Sequence, residues 1–372
     1  MNKKWQIYEK DENKIEEISS KYHINKLLAT ILANRGITDE EKIKLFLRPT
    51  RIDFHDPFQM IDMEKAIPRI KKAIENKEII TIYGDYDVDG ITSITVLKSF
   101  LTEIGLNVKT YIPNRLEEGY GLNKQAIKKI YDNGCDLMIT VDCGISGIEE
   151  IEYAKELGIE TIVTDHHEAG NQIPDAIAVV DNKRKESKYP FRELAGVGVV
   201  FKLIQALGIE LNMPEESYLK YLDIVCIGTI SDIVPLVDEN RVITKLGLLL
   251  VKQTRNIGLK SIINSSGYNK IDSSAISFGV APRINACGRM GKAEEALELL
   301  LSKDINKVND LTIQLNKHNK ERQETEKAIF ESAVKKIEEY NINKKSAIIV
   351  GGRNWHHGVI RNCFIKNNRN VF

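Results

Sequence analysis

The chain has 372 residues with 53 basic and 53 acidic side chains, so no overall charge field draws in an acidic partner, and any nucleic-acid contact must be a local groove. Five cysteines (Cys135, Cys143, Cys226, Cys287, Cys363), odd in number and without a Cys-x-x-Cys pair, argue against a disulfide framework and against structural zinc. They fit a reducing cytoplasm, and neither a membrane-length apolar stretch nor the apolar core of a signal peptide after Met1-Asn-Lys-Lys-Trp-Gln argues otherwise.

Residues 1–60 read as an N-terminal appendage of short helical patterns, over 24–32 and 38–47, with Thr38 and Glu41 forming a capping box. Across 61–302, helical and strand-like patterns alternate: helix 64–75, strand 79–84, helix 90–104, strand 107–112, helix 123–132, strand 136–142, helix 147–156 and strand 159–164. That alternation predicts an α/β fold with a doubly wound, mainly parallel sheet. Residues 195–207 and 215–230 read as partly buried helices, followed by an apolar helix over 244–252. Gly196 and Gly198 are expected to serve close helix packing rather than a dinucleotide site, since the third glycine of that fingerprint is missing. Residues 279–291 read as a loop bearing Arg283, Asn285 and Arg289, which are donors suited to phosphate.

From 303 to 341 the pattern predicts one long connector helix capped by Asp304, exposed because its apolar positions are sparse. Residues 342–372 then open with a strand-like run at 345–350, the start of a second α/β domain too short to build a core. Asp175, Asp181 and Glu193 read as solvated charges.

Four apolar runs end in ligand-type residues. Ile80-Thr-Ile-Tyr-Gly-Asp-Tyr-Asp-Val-Asp-Gly90 places Asp85, Asp87 and Asp89 on alternate residues; the others end in Asp142, in Asp165-His166-His167, and in Asp232. Side chains two apart in an extended segment point the same way, so such carboxylates repel unless cations neutralise them. At the carboxyl ends of parallel strands they would line one crevice.

These motifs resemble the DHH phosphoesterases, and within them the RecJ-type single-stranded-DNA-specific exonucleases. Tyr83 to Gly90, Val141 to Gly144, Asp165 to His167 and Gly228 to Asp232 match four motifs in order. Pro282 to Met290 matches the substrate-binding motif, and Asn354 to Ile360 matches the opening of the DHHA1 domain. The resemblance implies two divalent cations, with Mn²⁺ the expected ion and Mg²⁺ the alternative, since oxygen ligands with one or two imidazoles suit these better than Zn²⁺. Asp87 and Asp142 would hold one, with Asp85 beside it; Asp89, Asp142, His166 and Asp232 would hold the second. His167 would face the substrate phosphate, Asp165 would orient the histidines, and Arg283, Asn285, Arg289, His356 and Gly358 would contact the nucleic acid.

The implied activity is 5′-to-3′ hydrolysis of single-stranded DNA to nucleoside 5′-monophosphates in DNA repair and recombination, by a monomer served by a helicase and a single-strand-binding protein and independent of membranes. One alternative is a phosphodiesterase acting on short oligonucleotides or cyclic dinucleotides, although Tyr83 stands where those enzymes carry a histidine. Another is a poorly active, truncated DNA-binding relative. After Ile360 the sequence matches none of the family's continuation, so the DHHA1 domain is expected to be incomplete.

Overall fold

Short runs rich in Ile, Val and Thr open each of the alternating units, and every one of them becomes a strand of the same sheet. A computed structural model describes residue 9, residues 11–340 and residues 348–360. Helices α1 (Glu12–Tyr22), α2 (Lys26–Asn34), α3 (Glu40–Leu47) and α4 (Met63–Asn76) lead into the alternating section. That section holds β1 (Ile79–Gly84), α5 (Val88–Glu103), β2 (Asn107–Tyr111), α6 (Lys124–Asp132), β3 (Leu137–Val141), α7 (Ile148–Glu156), β4 (Glu160–Asp165) and β5 (Ala178–Asp181). All pairings are parallel, in the order β2-β1-β3-β4-β5. This is a doubly wound order whose crevice opens where β1 and β3 diverge to their connections.

Downstream lie α8 (Gly196–Glu210), α9 (Glu216–Leu219), α10 (Leu222–Ser231), α11 (Asp238–Val251), α12 (Ile257–Ser265), a π-helical turn at Ala275–Val280, α13 (Ala281–Arg289), α14 (Ala293–Leu301) and α15 (Ile305–Glu339). The two-residue strand period sorts the core into two layers. Ile80, Ile82, Ile139, Val141 and Ile162 face the main core with α4, α5 and α8, while Tyr83, Met138 and Val163 face α6 and α7. Helices α8 and α10 are apolar on nearly all sides and lie inside the main core.

Several expectations change. The run ending in Asp232 is helix α10, within the stretch expected to be helical, so Asp232 reaches the crevice from a helix C-cap and not from the end of a parallel strand. Residues 281–289 are helical, not a loop: Pro282 sits in the first turn, where its missing N–H costs nothing. Asp39, not Thr38, is the N-cap of α3, and it makes no side-chain capping bond. Helix α15 is not exposed along its whole length, because Val308, Leu311 and Leu315 join the main core. Its outer face carries the i,i+4 pairs Lys317–Glu321, Lys320–Glu324, Lys327–Glu331 and Lys335–Glu339.

Strand β5 has no counterpart among the expected elements, and it buries Asp181 completely. The strand expected over 345–350 falls partly outside the described residues, and 348–350 carry no strand; Cys363 also lies outside them. The N-terminal helices form their own cluster around Ile15, Leu32 and Ile43. Their connection is clasped to the sheet domain by the fully buried Lys202–Glu239 pair, with Lys202 Nζ also donating to His55 O at 2.6 Å. Among the described residues no helix is long and apolar enough to cross a membrane.

Candidate metal centre

Asp85, Asp87 and Asp89 do not line one extended segment. Asp85 follows β1, Asp87 is the N-cap of α5 and accepts from the amides of Asp89 (2.9 Å) and Gly90 (3.1 Å), and Asp89 lies in the first helical turn. The turn divides the three carboxylates between two neighbouring groups. Asp85, Asp87 and Asp142 could hold one ion; Asp89, His166 and Asp232 could hold another, and Asp142 also groups with His166 and His167. Asp142 leaves β3 with φ 57°, a left-handed conformation that Asp tolerates better than most residues.

His166 sits at the centre. Its Nε2 is 3.1 Å from Asp142 Oδ1, 3.7 Å from Asp232 Oδ2 and 3.8 Å from Asp89 Oδ2, none aligned as a hydrogen bond. Both of its ring nitrogens and Asp85 Oδ1 are buried without a hydrogen-bond partner. Buried polar atoms of this kind are normally satisfied, and an oxygen-rich set with one imidazole suits a hard divalent cation. The residues therefore fit the metal group.

Electrostatics agree with that fit. Burial, then neighbouring carboxylates, pushes Asp85 up to about 8 and Asp89 and Asp232 each to about 7. Asp142 rises well above the usual carboxylate range for the same reasons, and burial lowers His166. Without cations the cluster favours protons over negative charge.

Asp165 works outside that cluster. Burial pushes its pKa up, but the His167 ring and backbone amides outweigh this and hold it below the usual range. It accepts from His167 Nδ1 at 2.7 Å and from the amides of His166 (2.7 Å) and Ile145 (2.9 Å). The same contact raises His167 to about 9 and turns its Nε2 toward Tyr120 Oη, 3.4 Å away.

Two features go beyond the sequence reading. Asp89 accepts from the amides of Gly196 (2.7 Å) and Val197 (2.9 Å), so the N-terminus of α8 ends on a carboxylate. A Gly-Val-Gly opening a helix is a signal for that role as well as for close packing. Asp181, expected to be a solvated charge, is fully buried with Oδ2 unpartnered, and burial first of all raises it to about 7.

The expected phosphate donors are dispersed. Arg283 donates to Asn316 Oδ1 (2.7 Å), Gly279 O (2.6 Å) and Ser265 O (3.2 Å), which ties α13 to its neighbours. Asn285 Oδ1 accepts from Val88 N at 3.3 Å, next to the Asp87 cap. Arg289 donates to Gly358 O at 3.0 Å, and the Gly358 amide donates to His356 Nδ1 at 3.1 Å, so the 356–360 segment lies beside the C-terminus of α13. Tyr83 points into the opposite layer, donating to Gly121 O at 2.9 Å.

The family described as DHH family, N-terminal domain, matches residues 79–229. The single-stranded-DNA-specific exonuclease RecJ of Bacillus subtilis (strain 168) is 43% identical over 359 residues, covering 96% of this chain and 45% of that protein. The protein of the same name from Escherichia coli (strain K12) is 30% identical over 351 residues, covering 90% and 60%. The chain thus spans about half the length of the curated relatives it matches. A crystal structure of exonuclease RecJ bound to manganese superposes with a TM-score of 0.76 at 33% identity, covering 82% of this chain and 77% of that one. The RecJ structure from Thermus thermophilus in complex with Mn²⁺ gives 0.80 at 28% identity, over 96% of this chain and 51% of that one. With a family model matching residues 79–229 and RecJ proteins similar to most of this chain in sequence and in fold, the chain belongs to the DHH family, in the branch formed by the RecJ proteins.

Proposed function

We propose that this chain carries the catalytic part of a metal-dependent exonuclease that hydrolyses single-stranded DNA from its 5′ end to nucleoside 5′-monophosphates, in DNA repair and recombination. The carrying observation is the convergence of three ligand groups on Asp142 and His166, with orphaned ring nitrogens and four carboxylates whose pKa values are raised. Asp85, Asp87 and Asp142 would hold one divalent cation, and Asp89, Asp142, His166 and Asp232 the second. When bound, the two cations supply Lewis acidity that activates a water nucleophile and offsets charge on the phosphodiester. Mn²⁺ is the expected ion and Mg²⁺ the alternative; the solved Thermus RecJ structures were obtained in complex with each.

The chain's own groups do the rest. Asp165 fixes the His167 ring, which carries a proton at neutral pH and presents Nε2 to a phosphate oxygen in the crevice. Asn285 and Arg289, with His356 and Gly358 beside them, would line the path of the strand. Arg283 acts through the helix it ties down. A non-catalytic relative would be expected to have lost ligands, and every expected one is present here except the family histidine, whose place Tyr83 takes. Tyr83, turned into the other layer, offers no equivalent of the histidine of the short-oligonucleotide phosphodiesterases.

The same reading takes the protein as a cytoplasmic monomer, in keeping with the four cysteines among the described residues, all free and buried, and takes a helicase and a single-strand-binding protein as the suppliers of its strand. Digestion of end-labelled single-stranded DNA with Mn²⁺ tests the activity. A 5′ block should stop hydrolysis and a 3′ block should not; cleavage that survives a chelator or depends on the 3′ end overturns the proposal.

A further inference from the structure

One residue of the N-terminal connection is gripped at its amide, its carbonyl and its ring. The His55 amide donates to Glu239 Oε1 at 3.0 Å, its carbonyl accepts from Lys202 Nζ at 2.6 Å, and its ring Nε2 meets Asp238 Oδ1 at 2.8 Å. The ring also stands edge-on to Tyr189 with centroids 5.8 Å apart, and Tyr189 Oη donates to Glu239 Oε2 at 2.5 Å. The Asp238 contact raises the His55 pKa against the opposing effect of burial, so the ring meets that carboxylate as a donor.

Asp238 and Glu239 open α11, and Asn240 continues the same turn. Asn240 is fully buried, and its Nδ2 donates to Pro235 O at 3.1 Å and to Glu193 O. Pro235 belongs to residues 233–237, which join Asp232 to α11. Glu193 belongs to the stretch that runs into Gly196 and Val197, whose amides hold Asp89. One helical turn thus ties the N-terminal connection to both segments that place Asp232 and Asp89.

The backbone between Asp232 and α11 does not hold itself. Ile233 has φ 63° and Asp238 has φ 47°, so left-handed residues bracket it, and residues 234–236 belong to no helix or strand. A β-branched residue rarely adopts such a conformation, and strain of this kind persists where the surroundings enforce it. The bonds made by Asp238, Glu239 and Asn240 supply those surroundings.

We propose that His55 is a positioning residue for the metal centre: its grip on Asp238 and Glu239 fixes the first turn of α11, which through Pro235 and Glu193 sets Asp232 and Asp89 for the second cation. The proposal rests on the two-cation reading above and makes the N-terminal appendage part of the catalytic unit. Asp85 and Asp87 lie on the turn between β1 and α5, which none of these bonds reaches, so the effect falls on one ion of the two.

Isothermal titration of the full chain with Mn²⁺ reads both affinities, and Asp85→Ala marks the one that belongs to the first ion. His55→Ala should weaken the other by about 2–30-fold, the range of couplings carried through packed side chains, and leave the first unchanged. Asp238→Gly, which removes the carboxylate at a left-handed position without adding strain, should match it, and the double variant should cost no more than either single one. His55→Gln, whose amide still donates to Asp238, should recover most of the affinity. Arg51→Ala, which cuts the 3.1 Å pair between the same connection and Glu215, should change neither affinity.

Unchanged Mn²⁺ affinities in His55→Ala with a lower melting temperature make the contact a clamp alone and overturn the proposal. Equal weakening of both ions, or weakening in Arg51→Ala, also overturns it, since either marks a general loosening. Where His55→Ala does not fold, Asp238→Gly decides on the same criteria. Hydrolysis of end-labelled single-stranded DNA is scored separately. Selective weakening of one ion without hydrolysis by the unaltered chain keeps the positioning role and removes the exonuclease reading, whereas hydrolysis with unchanged affinities in the variants does the reverse.

Discussion

The amide of Gly196 donates to Asp89 Oδ2 at 2.7 Å, so the partial positive charge at the start of α8 is aimed at a carboxylate carried by α5. The same position leaves no room for a side chain: a Cβ on Gly196 would lie 2.7 Å from Asp142 Oδ1. One glycine thereby sets two carboxylates, one from each side of the cluster. Gly196→Ala should push Asp142 out of place and lower Mn²⁺ affinity by about 10–100-fold, as losses around metal ligands do. Isothermal titration measures this; an unchanged affinity would mean that Asp142 has room to move.

Asp142 and Asp85 should differ in weight. Asp142 groups with ligands on both sides of the cluster, whereas Asp85 belongs to one group alone. Because Asp142 has φ 57°, Asn is the fair replacement, since Ala would add backbone strain to the loss of charge. We expect Asp142→Asn to abolish hydrolysis of end-labelled strands, and Asp85→Ala to leave measurable activity. The metal-free melting temperature of Asp142→Asn should not fall, since removing a charge from a buried like-charged cluster relieves repulsion. Equal activity losses in the two variants would sink the ranking.

The raised carboxylates dictate a pH dependence that bound metal opposes. Asp85 at about 8, and Asp89 and Asp232 at about 7, bind protons in the folded chain that the unfolded chain releases near pH 4. Stability linked to these protons is fully present below the unfolded values and is lost as pH rises through about 7 to 8. Metal-free protein should therefore melt at a lower temperature at pH 8.5 than at pH 6. Cations compete with the same protons, so stabilisation by saturating Mn²⁺ should be larger at the higher pH. Scanning calorimetry with and without metal decides it, and a metal-free melting temperature that rises with pH would contradict the charge arrangement.

The legible part of this molecule is the part where local pattern and chemistry agree. Apolar runs at 79–84 and 159–164 become β1 and β4 almost residue for residue, because buried parallel strands need continuous apolar stretches. The ligand residues at their ends are readable since few side chains other than Asp and His serve a hard cation. Strand β5 escapes because it has only 4 residues and follows β4 without an intervening helix, leaving neither length nor alternation to detect. The burial of Asp181 escapes along with it. Helix α13 looks like a loop because Gly279, Pro282 and Gly288 interrupt the pattern; its burial against the main core, seen at Ile284 and Cys287, overrides that weak propensity. The docking of α15 depends on three apolar residues meeting a partner surface assembled from distant sequence, which no local window contains.

Arg283 separates the sequence reading from the structural one most sharply. Its residue type and motif suggest a phosphate grip, but its guanidinium spans Asn316 of α15, Gly279 of the π-helical turn and Ser265 at the end of α12. Three elements are joined through one side chain. Arg283→Ala would remove the guanidinium's bonds to Asn316 Oδ1, Gly279 O and Ser265 O in a half-buried junction, at about 1.5–3 kcal/mol for hydrogen bonds to a charged group. Urea unfolding should record that loss at unchanged slope. Arg283→Lys should recover only part of it, because an ammonium cannot reproduce the planar fork that reaches three acceptors. DNA affinity should fall less than stability does once the variant is assayed well below its melting temperature. A variant with unaltered stability and strongly weakened strand binding would return Arg283 to the phosphate path and leave the α12–α13–α15 junction to its apolar contacts.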